Sequence, residues 1–448
     1  MGSRAMSPVD HAWYRMDSPA NLMMVHAVMW TDEPVDWVRL RDEVEQRLLK
    51  RFPKFRQRPV AAGLPFARAA WADDDDFQLD RHIVMHTLDA PGDQRSLERY
   101  IEQQIPVALD QRHPMWEVHC IDGFGSGSAV LFRMHHSIAD GITLTRVLLS
   151  LTEDDHPVAT DADVGRGALP QAPSLPREVL QQVVLTLRDP QRVVGAVRGS
   201  YRGARRLVHL ATIPQKPRSA LSGVVGQDKR VTWTQPWSLS RVKAIARSAG
   251  VTVNDVLLSI LADTLGRYLR EEQTPLDGVR VMVPVNLRPL DRPLTPDLGN
   301  VFGEYIVTLP TAVLSPSERL MRMHRTTQEL KDSPEAVVAY MTLVAIGYMP
   351  RPVEDVSTKL FSGKVVATVS NVPGPTSPVG LAGTPISGII GWVPGAGNVG
   401  LGISMFSYRG SVVVGLLTDA MLIPGIERLT RLLAQSLSDL EAEVLGPG

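Results

Sequence analysis

One stretch constrains this chain more than any other: Ala129-Val-Leu-Phe-Arg-Met-His-His-Ser-Ile-Ala-Asp-Gly141. Its apolar run reads as a buried strand, and the strand delivers two histidines to its end. A neutral imidazole titrates close to cellular pH, so it can take a proton from a hydroxyl and later return it. Asp140-Gly141 then implies a tight turn, with a carboxylate to fix geometry and a glycine to clear space. Successive side chains of a strand point to opposite faces. His135 and His136 therefore cannot both reach one ligand easily, which argues against a metal centre built from His135, His136 and Asp140. One of the two is the candidate base, and the spacing does not say which. The bland alternative is a pair of core histidines, each satisfied by its neighbours.

With 448 residues the chain is too long for one ordinary core, so two domains are expected. In the N-terminal part, residues 23–30 read as a strand. Trp37, Leu40, Val44 and Leu48 give residues 36–51 a helical spacing, with Asp36 as N-cap. Residues 96–105 form a short helix halted near Pro106. Residues 115–121 and 129–135 form two strands joined by Asp122-Gly-Phe-Gly-Ser-Gly127, and residues 142–151 the helix after the motif. From Thr152 to residue 176 the chain turns rich in Pro, Asp, Gly and Ala, as a linker does. Arg177 to Ala211 follows with many arginines and few acids, broken at Pro190. Residues 238–248 read as a helix closed by Gly250, and residues 252–270 as the clearest helix of all, apolar at Val253, Val256, Leu257, Ile260, Leu261 and Leu265. Strands are expected at 279–285, 305–309, 365–370, 401–408 and 411–417. The resulting division is a domain at 1–155, a linker at 156–220 and a second domain at 221–448.

The formal net charge of −1 gives no global pull toward nucleic acid. A single cysteine, Cys120, excludes an internal disulfide framework and a cysteine-based zinc site, and leads us to expect a reducing, cytoplasmic setting. The first ten residues lack the apolar centre of a signal peptide. No run of eighteen apolar residues occurs, so no spanning helix is expected. The nearest approach, Ala336 to Met349, carries Tyr340, Thr342 and Gly347 and reads as a buried or interfacial helix. Gly395-Ala-Gly-Asn-Val-Gly400 fits a dinucleotide fingerprint but opens into a strand-like stretch near the C-terminus, the wrong context. No G-x-S-x-G elbow is present, so a serine-hydrolase triad lacks its nucleophile signature.

Further motifs stand in a fixed order around the histidines: Ser7-Pro-Val-Asp10, Pro114-Met-Trp-Glu117, Thr252-Val-Asn-Asp-Val256, Val283-Pro-Val-Asn-Leu-Arg288, Gly299-Asn300 with Leu309-Pro310, and Ser370-Asn-Val-Pro-Gly-Pro375. Together with His135–Gly141 they make the chain resemble the bacterial wax ester synthase/acyl-CoA:diacylglycerol acyltransferase family over nearly its whole length. That family lies within the chloramphenicol-acetyltransferase and condensation-domain superfamily. Met115 stands where the family usually has Leu, and Asn286 where Ser is common.

The resemblance implies a mixed α/β (α+β) fold of two chloramphenicol-acetyltransferase-like domains, with mixed sheets flanked by helices and an active-site tunnel at their interface. It implies His136 as general base, His135 in support, and Asp140 as a structural carboxylate turned toward Arg288, with Gly141 beside it. Asn254, Asp255, Ser370 and Asn371 are implied near the substrates. For Asn254 and Asp255 the plain alternative is helix capping and a favourable dipole contact. Trp116 and Glu117 read as packing. Backbone amides near Gly141 and the Asn254 side chain are candidate oxyanion donors.

The expected reaction moves a long-chain acyl group from acyl-CoA to diacylglycerol or a fatty alcohol, with no metal and no cofactor. The alternatives are a specialised-metabolite or condensation-type acyltransferase, and a non-catalytic lipid-binding protein of the same fold. Expected partners are acyl-CoA and a lipid alcohol, with no nucleic acid. The arginines of residues 177–206 could meet an anionic membrane or lipid-droplet surface; the alternative is that they face water.

Overall fold

Two mixed sheets organise the chain. The computed structural model describes residues 3–61, 67–152, 212–288, 294–331, 333 and 335–446. Strand Gly127–His135 is buried along its whole length because it lies inside the first sheet, between Met24–Thr31 and Trp116–Phe124. Ile83–Thr87 extends that sheet on the Trp116–Phe124 side, running parallel to it. The one charge inside the motif strand, Arg133, pairs with Glu117 and donates to the carbonyls of Gln104 and Val107. A buried guanidinium is tolerable only when most of its donors are taken up; here Nε is left without a partner among the described residues.

The second sheet runs Phe302–Pro310, Gly278–Asn286, Ala367–Pro373, Leu401–Tyr408, Ser411–Asp419 and Lys229–Trp233. Ala367–Pro373 is parallel to both neighbours, and the other pairs on this path are antiparallel. Helix Val253–Glu271 is buried on nearly all sides, since it packs under the sheet and against helices Pro316–Lys331 and Ile426–Leu445. A helix buried on nearly every side belongs to a core rather than a surface.

The two-domain division needs one correction. Thr384–Trp392, deep in the C-terminal part, pairs antiparallel with Met24–Thr31 and so completes the first sheet. Ile386, Ile389 and Trp392 join the same apolar cluster as Val130 and Phe132. The boundary drawn at 221–448 is therefore crossed by a strand that supplies the other half's core. The helix expected at 36–51 also differs: Asp36 caps it through the amides of Val38 and Arg39, but it widens to π winding over Val44–Leu49. Residues 156–211 of the linker, with the arginine-rich stretch at 177–211, lie outside the described residues. No single helix among the described residues is long and apolar enough to cross a membrane.

A second contact locks the halves together. Ser7 caps helix Pro8–Arg15 by accepting from the Asp10 amide, and Pro8 fits the first turn, where no amide hydrogen is needed. This helix packs against helix Glu335–Ile346, which in turn lies on strand Phe302–Pro310. A Cβ at Gly347 would stand 1.8 Å from the Pro8 carbonyl oxygen, and one at Gly303 would stand 2.0 Å from that of Ala336. Only glycine permits backbones this close. Val9, Trp13, Met23, Phe302, Leu343 and Val344 form the small core of this junction.

Candidate active site

The strand ends at His135 and the alternation sends the two rings apart. His135 Nδ1 accepts from the Ser137 amide at 3.1 Å, so its proton sits on Nε2, which donates to Asp17 Oδ2 at 3.2 Å. The other oxygen of Asp17 accepts from the Met23 amide at 2.6 Å. His135 thus ties the motif to the chain that leaves the first helix.

His136 points into the junction. Its amide donates to the Met23 carbonyl at 2.7 Å. Its ring stacks on Trp13 with centroids 4.2 Å apart and 17° between planes, and it meets Phe302 at 5.7 Å. Nδ1 lies 3.0 Å from Asn300 Oδ1. The Asn300 amide nitrogen donates to the His136 carbonyl and to Asp10 Oδ1, each at 2.8 Å. With its NH2 facing two acceptors, Asn300 can only accept at Oδ1, so Nδ1 carries the ring proton and Nε2 keeps a lone pair. Burial lowers the pKa of this ring to about 4, and the negative Asp140 nearby offsets only part of that effect. The imidazole is neutral at cellular pH.

Two buried carboxylates hold the segment that carries Asn300. Asp10 Oδ1 takes the Asn300 backbone amide at 3.0 Å as well as the side-chain amide, and Oδ2 takes Lys54 Nζ at 3.0 Å. Lys54 spends its other donors on the carbonyls of Ile138 at 2.9 Å and Leu298 at 3.0 Å. Asp140 Oδ1 accepts from the Thr143 amide at 2.8 Å and Oδ2 from the Val301 amide at 3.1 Å. Segment 298–301 of the second half is thereby fastened to the histidine turn of the first.

Two cavities flank this turn. The first, with about 1070 Å³ of empty space that includes open solvent, is walled by His136, Trp13, Phe302, Glu304, Leu343 and Phe361, among others. The second, about 610 Å³ on the same measure, is walled by Gly141, Leu144, Ser370, Val372 and Phe406, among others. Val393 borders both. A Cβ at Gly141 would meet nothing within 4 Å, so the glycine leaves the second cavity open at the point where helix Gly141–Leu149 begins.

Residues 6–257 match the family model described as the wax ester synthase/diacylglycerol acyltransferase catalytic domain, and residues 298–441 match the C-terminal domain model of the same family. The chain belongs to this family. It is an O-acyltransferase of the kind that forms triacylglycerol or wax ester. A Mycobacterium tuberculosis protein named probable diacylglycerol O-acyltransferase is 29% identical over 408 residues, 88% of each chain. A second protein of that organism, given the same activity by name, is 28% identical over 456 residues, covering 98% of this chain and 100% of its own. Among solved structures, the wax ester synthase/diacylglycerol acyltransferase of Marinobacter aquaeolei VT8 superimposes with a TM-score of 0.68 at 21% identity, covering 98% of this chain and 99% of its own. The first condensation domain of the calcium-dependent antibiotic synthetase gives 0.64 at 16% identity, covering 100% and 97%. These likenesses carry the fold, two chloramphenicol-acetyltransferase-like halves, as the motifs implied.

Within this acyltransferase the expected residues separate into groups. His136 and Gly141 stand at the two cavities, and Ser370 joins Gly141. Asn371 donates to Asn254 Oδ1 at 3.4 Å, and neither lines either of these cavities. Asp255 closes a capping box with Thr252 and accepts from His324 Nδ1 at 2.7 Å and from the Thr327 hydroxyl. It holds a helix start rather than a substrate. The expected Asp140–Arg288 pair is replaced: both Asp140 oxygens are used by backbone amides, and Arg288 donates to Thr143 Oγ1 at 3.3 Å. A carboxylate that caps a helix is already satisfied and needs no guanidinium. Asp10 and Asn300 stood inside recognised motifs without a role, while Trp13, Lys54 and Glu304 carried no signal.

Proposed function

We propose that His136 Nε2 is the general base of a direct acyl transfer between two bound substrates. The supporting observation is the fixed tautomer: Asn300 holds the proton on Nδ1, and the ring forms part of an apolar cavity wall. Nε2 takes the proton of a lipid hydroxyl as its oxygen attacks the thioester carbonyl of acyl-CoA. The tetrahedral intermediate collapses, the carbon–sulfur bond breaks, and the imidazolium returns its proton to the departing CoA thiolate. Asn300 Oδ1 and the face of Trp13 both favour the transient imidazolium. No covalent acyl-enzyme is required. For the oxyanion, amides at the start of helix Gly141–Leu149 are the better candidates, because Asn254 faces Asn371. Two apolar cavities on either side of one turn suit two chain-bearing substrates.

The test is release of free CoA from palmitoyl-CoA with either hexadecanol or dioctanoylglycerol. His136→Ala is expected to lower turnover by about two to four powers of ten. Unchanged turnover in a folded His136→Ala protein defeats the assignment.

We also propose that this enzyme rests on a lipid surface through helix Arg351–Ser362. Val353, Val356 and Leu360 are exposed along it, and Tyr348 and Met349 are exposed just before it. Arg351, Lys359 and one acid, Asp355, stand exposed among them, while Phe361 and Ser362 on the inner side line the His136 cavity. Apolar side chains with flanking cations suit an anionic interface. Flotation with anionic vesicles should weaken on Val353→Asp with Val356→Asp; equal flotation ends the idea.

A further inference from the structure

The His136 cavity contains a carboxyl with no work to do in the fold. Strand Phe302–Pro310 turns Phe302, Glu304 and Ile306 toward it, opposite Pro284 and Met282 of the neighbouring strand. The Glu304 carboxyl makes no hydrogen bond or ion pair with any described residue. Across the same cavity, Thr358 Oγ1 is buried and likewise without a hydrogen-bond partner among the described residues. A hydroxyl buried without a partner on a cavity wall, as Thr358 is, is a group that a ligand can satisfy. The remaining walls are mostly apolar, with Thr342, Ser362 and Thr368 among them, and suit a hydrocarbon chain.

We infer that Glu304 and Thr358 recognise a second oxygen function on the acceptor, an ester carbonyl or a hydroxyl, beyond the hydroxyl that reacts. This rests on the proposed placement of the acceptor hydroxyl at His136. Glu304 is two residues along the strand from Phe302, which contacts the His136 ring, and two residues of strand span about 7 Å. An acceptor with a carbonyl that far from its reacting hydroxyl would bring it to Glu304, in the cavity that Thr358 also lines. A plain alkanol would leave them unmet. Burial pushes the Glu304 carboxyl up to about 7, so a substantial fraction is protonated and can donate to a carbonyl oxygen. The enclosing cavity desolvates it even though the cavity itself admits solvent.

The experiment compares kcat/KM for dioctanoylglycerol and for hexadecanol with one acyl-CoA, in wild type and in Glu304→Leu, Glu304→Gln and Thr358→Val. The wild type should favour the glycerol diester. Glu304→Leu should lower the diester-to-alkanol ratio at least tenfold, Thr358→Val should lower it less, and Glu304→Gln, which keeps a neutral donor, should retain most of it. Thermal unfolding reports whether each variant folds, and the near-isosteric Gln variant keeps the comparison available if Leu does not. An unchanged ratio in Glu304→Leu, equal losses on both acceptors, or a wild type that ignores the diester overturns the inference. His136→Ala separates this from the base assignment, because it must suppress both acceptors together whatever Glu304 does.

Discussion

Asn300→Ala tests the arrangement around the base most directly. The substitution removes the acceptor for His136 Nδ1, the donor to the His136 carbonyl and the donor to Asp10 Oδ1. In the resting enzyme the first of these is a neutral hydrogen bond, worth about 1 kcal/mol net. Once Nε2 takes a proton, the same bond joins a cation and is worth roughly 1.5–3 kcal/mol. Only the difference, about 0.5–2 kcal/mol, acts on the barrier through charge, or roughly two- to thirtyfold in kcat. Loss of the tautomer and of ring orientation adds to it, because nothing then forbids the proton from sitting on Nε2. We expect kcat to fall about 10- to 100-fold, with the KM for acyl-CoA little changed. That is less than the loss on removing the base itself.

The readout is steady-state CoA release beside a thermal melt. Asn300→Ala should also lower stability by roughly 2–3 kcal/mol, since it leaves Asp10 and a carbonyl short of donors. A cycle with His136→Ala decides the mechanism: if Asn300 acts through the ring, the double variant should be no slower than His136→Ala alone. Turnover within threefold of wild type in Asn300→Ala, or losses that simply multiply in the cycle, would refute the reasoning.

The pH dependence follows from the same ring. The acid limb of kcat/KM should fall near pH 4, where His136 titrates, rather than near the ordinary histidine value, and a limb near pH 6.5 would contradict this. His136 and His26, the latter lowered to about 3 by burial, bind protons more readily when unfolded. Their contribution to stability is therefore present above the unfolded value and lost as pH falls toward 4 and then 3, with a slope up to about 1.4 kcal/mol per pH unit for each histidine. Urea midpoints at pH 7 and pH 5 would reveal it, and equal midpoints would count against it. Arg288→Ala should cost less than tenfold in kcat, because Arg288 bonds Thr143 and not Asp140, whereas Asp140→Ala should lower the melting temperature by removing a helix cap and the Val301 contact. Gly347→Ala should destabilise by about 2 kcal/mol or more, since its Cβ would collide with the Pro8 carbonyl; an unchanged melt would show that the helices can part freely.

What the sequence revealed divides by distance along the chain. Asp36 as a cap and the long buried helix from Thr252 are decided by neighbours a few residues away, and both are legible from pattern alone. The opposite facing of His135 and His136 follows from strand geometry in the same way. The contacts that fix the tautomer of His136 are of another kind. Asp10 and Asn300 are 290 residues apart, and Asp140 and Val301 are 161 apart. No periodicity announces such pairs. The motifs marked Asp10 and Asn300 as positions worth attention, but only the fold says that they face one another. The strand Thr384–Trp392 was hidden for the same reason: its partner lies more than 350 residues upstream. Asp140 misled because a carboxylate in a turn has two good outlets, a cation or the amides of a helix start, and local sequence cannot rank them.

The choice of an amide against His136 Nδ1 has a chemical logic. A carboxylate placed directly on Nδ1 would stabilise the imidazolium in the resting state and raise its pKa. In a cavity that must admit hydrocarbon, a standing charge would also hold water against the apolar walls. Asn300 fixes the same tautomer without that charge. The carboxylate is still present, one hydrogen bond further out, and Lys54 already balances it. The ring is therefore aligned as firmly as a carboxylate would align it, yet stays neutral until an alcohol proton arrives. The penalty is a weak base, with a ring pKa of about 4. It is offset only if the imidazolium exists briefly, between taking the alcohol proton and giving it to the thiolate. A direct transfer with both substrates in place meets that condition. A route that held the proton on His136 through a long-lived intermediate would not.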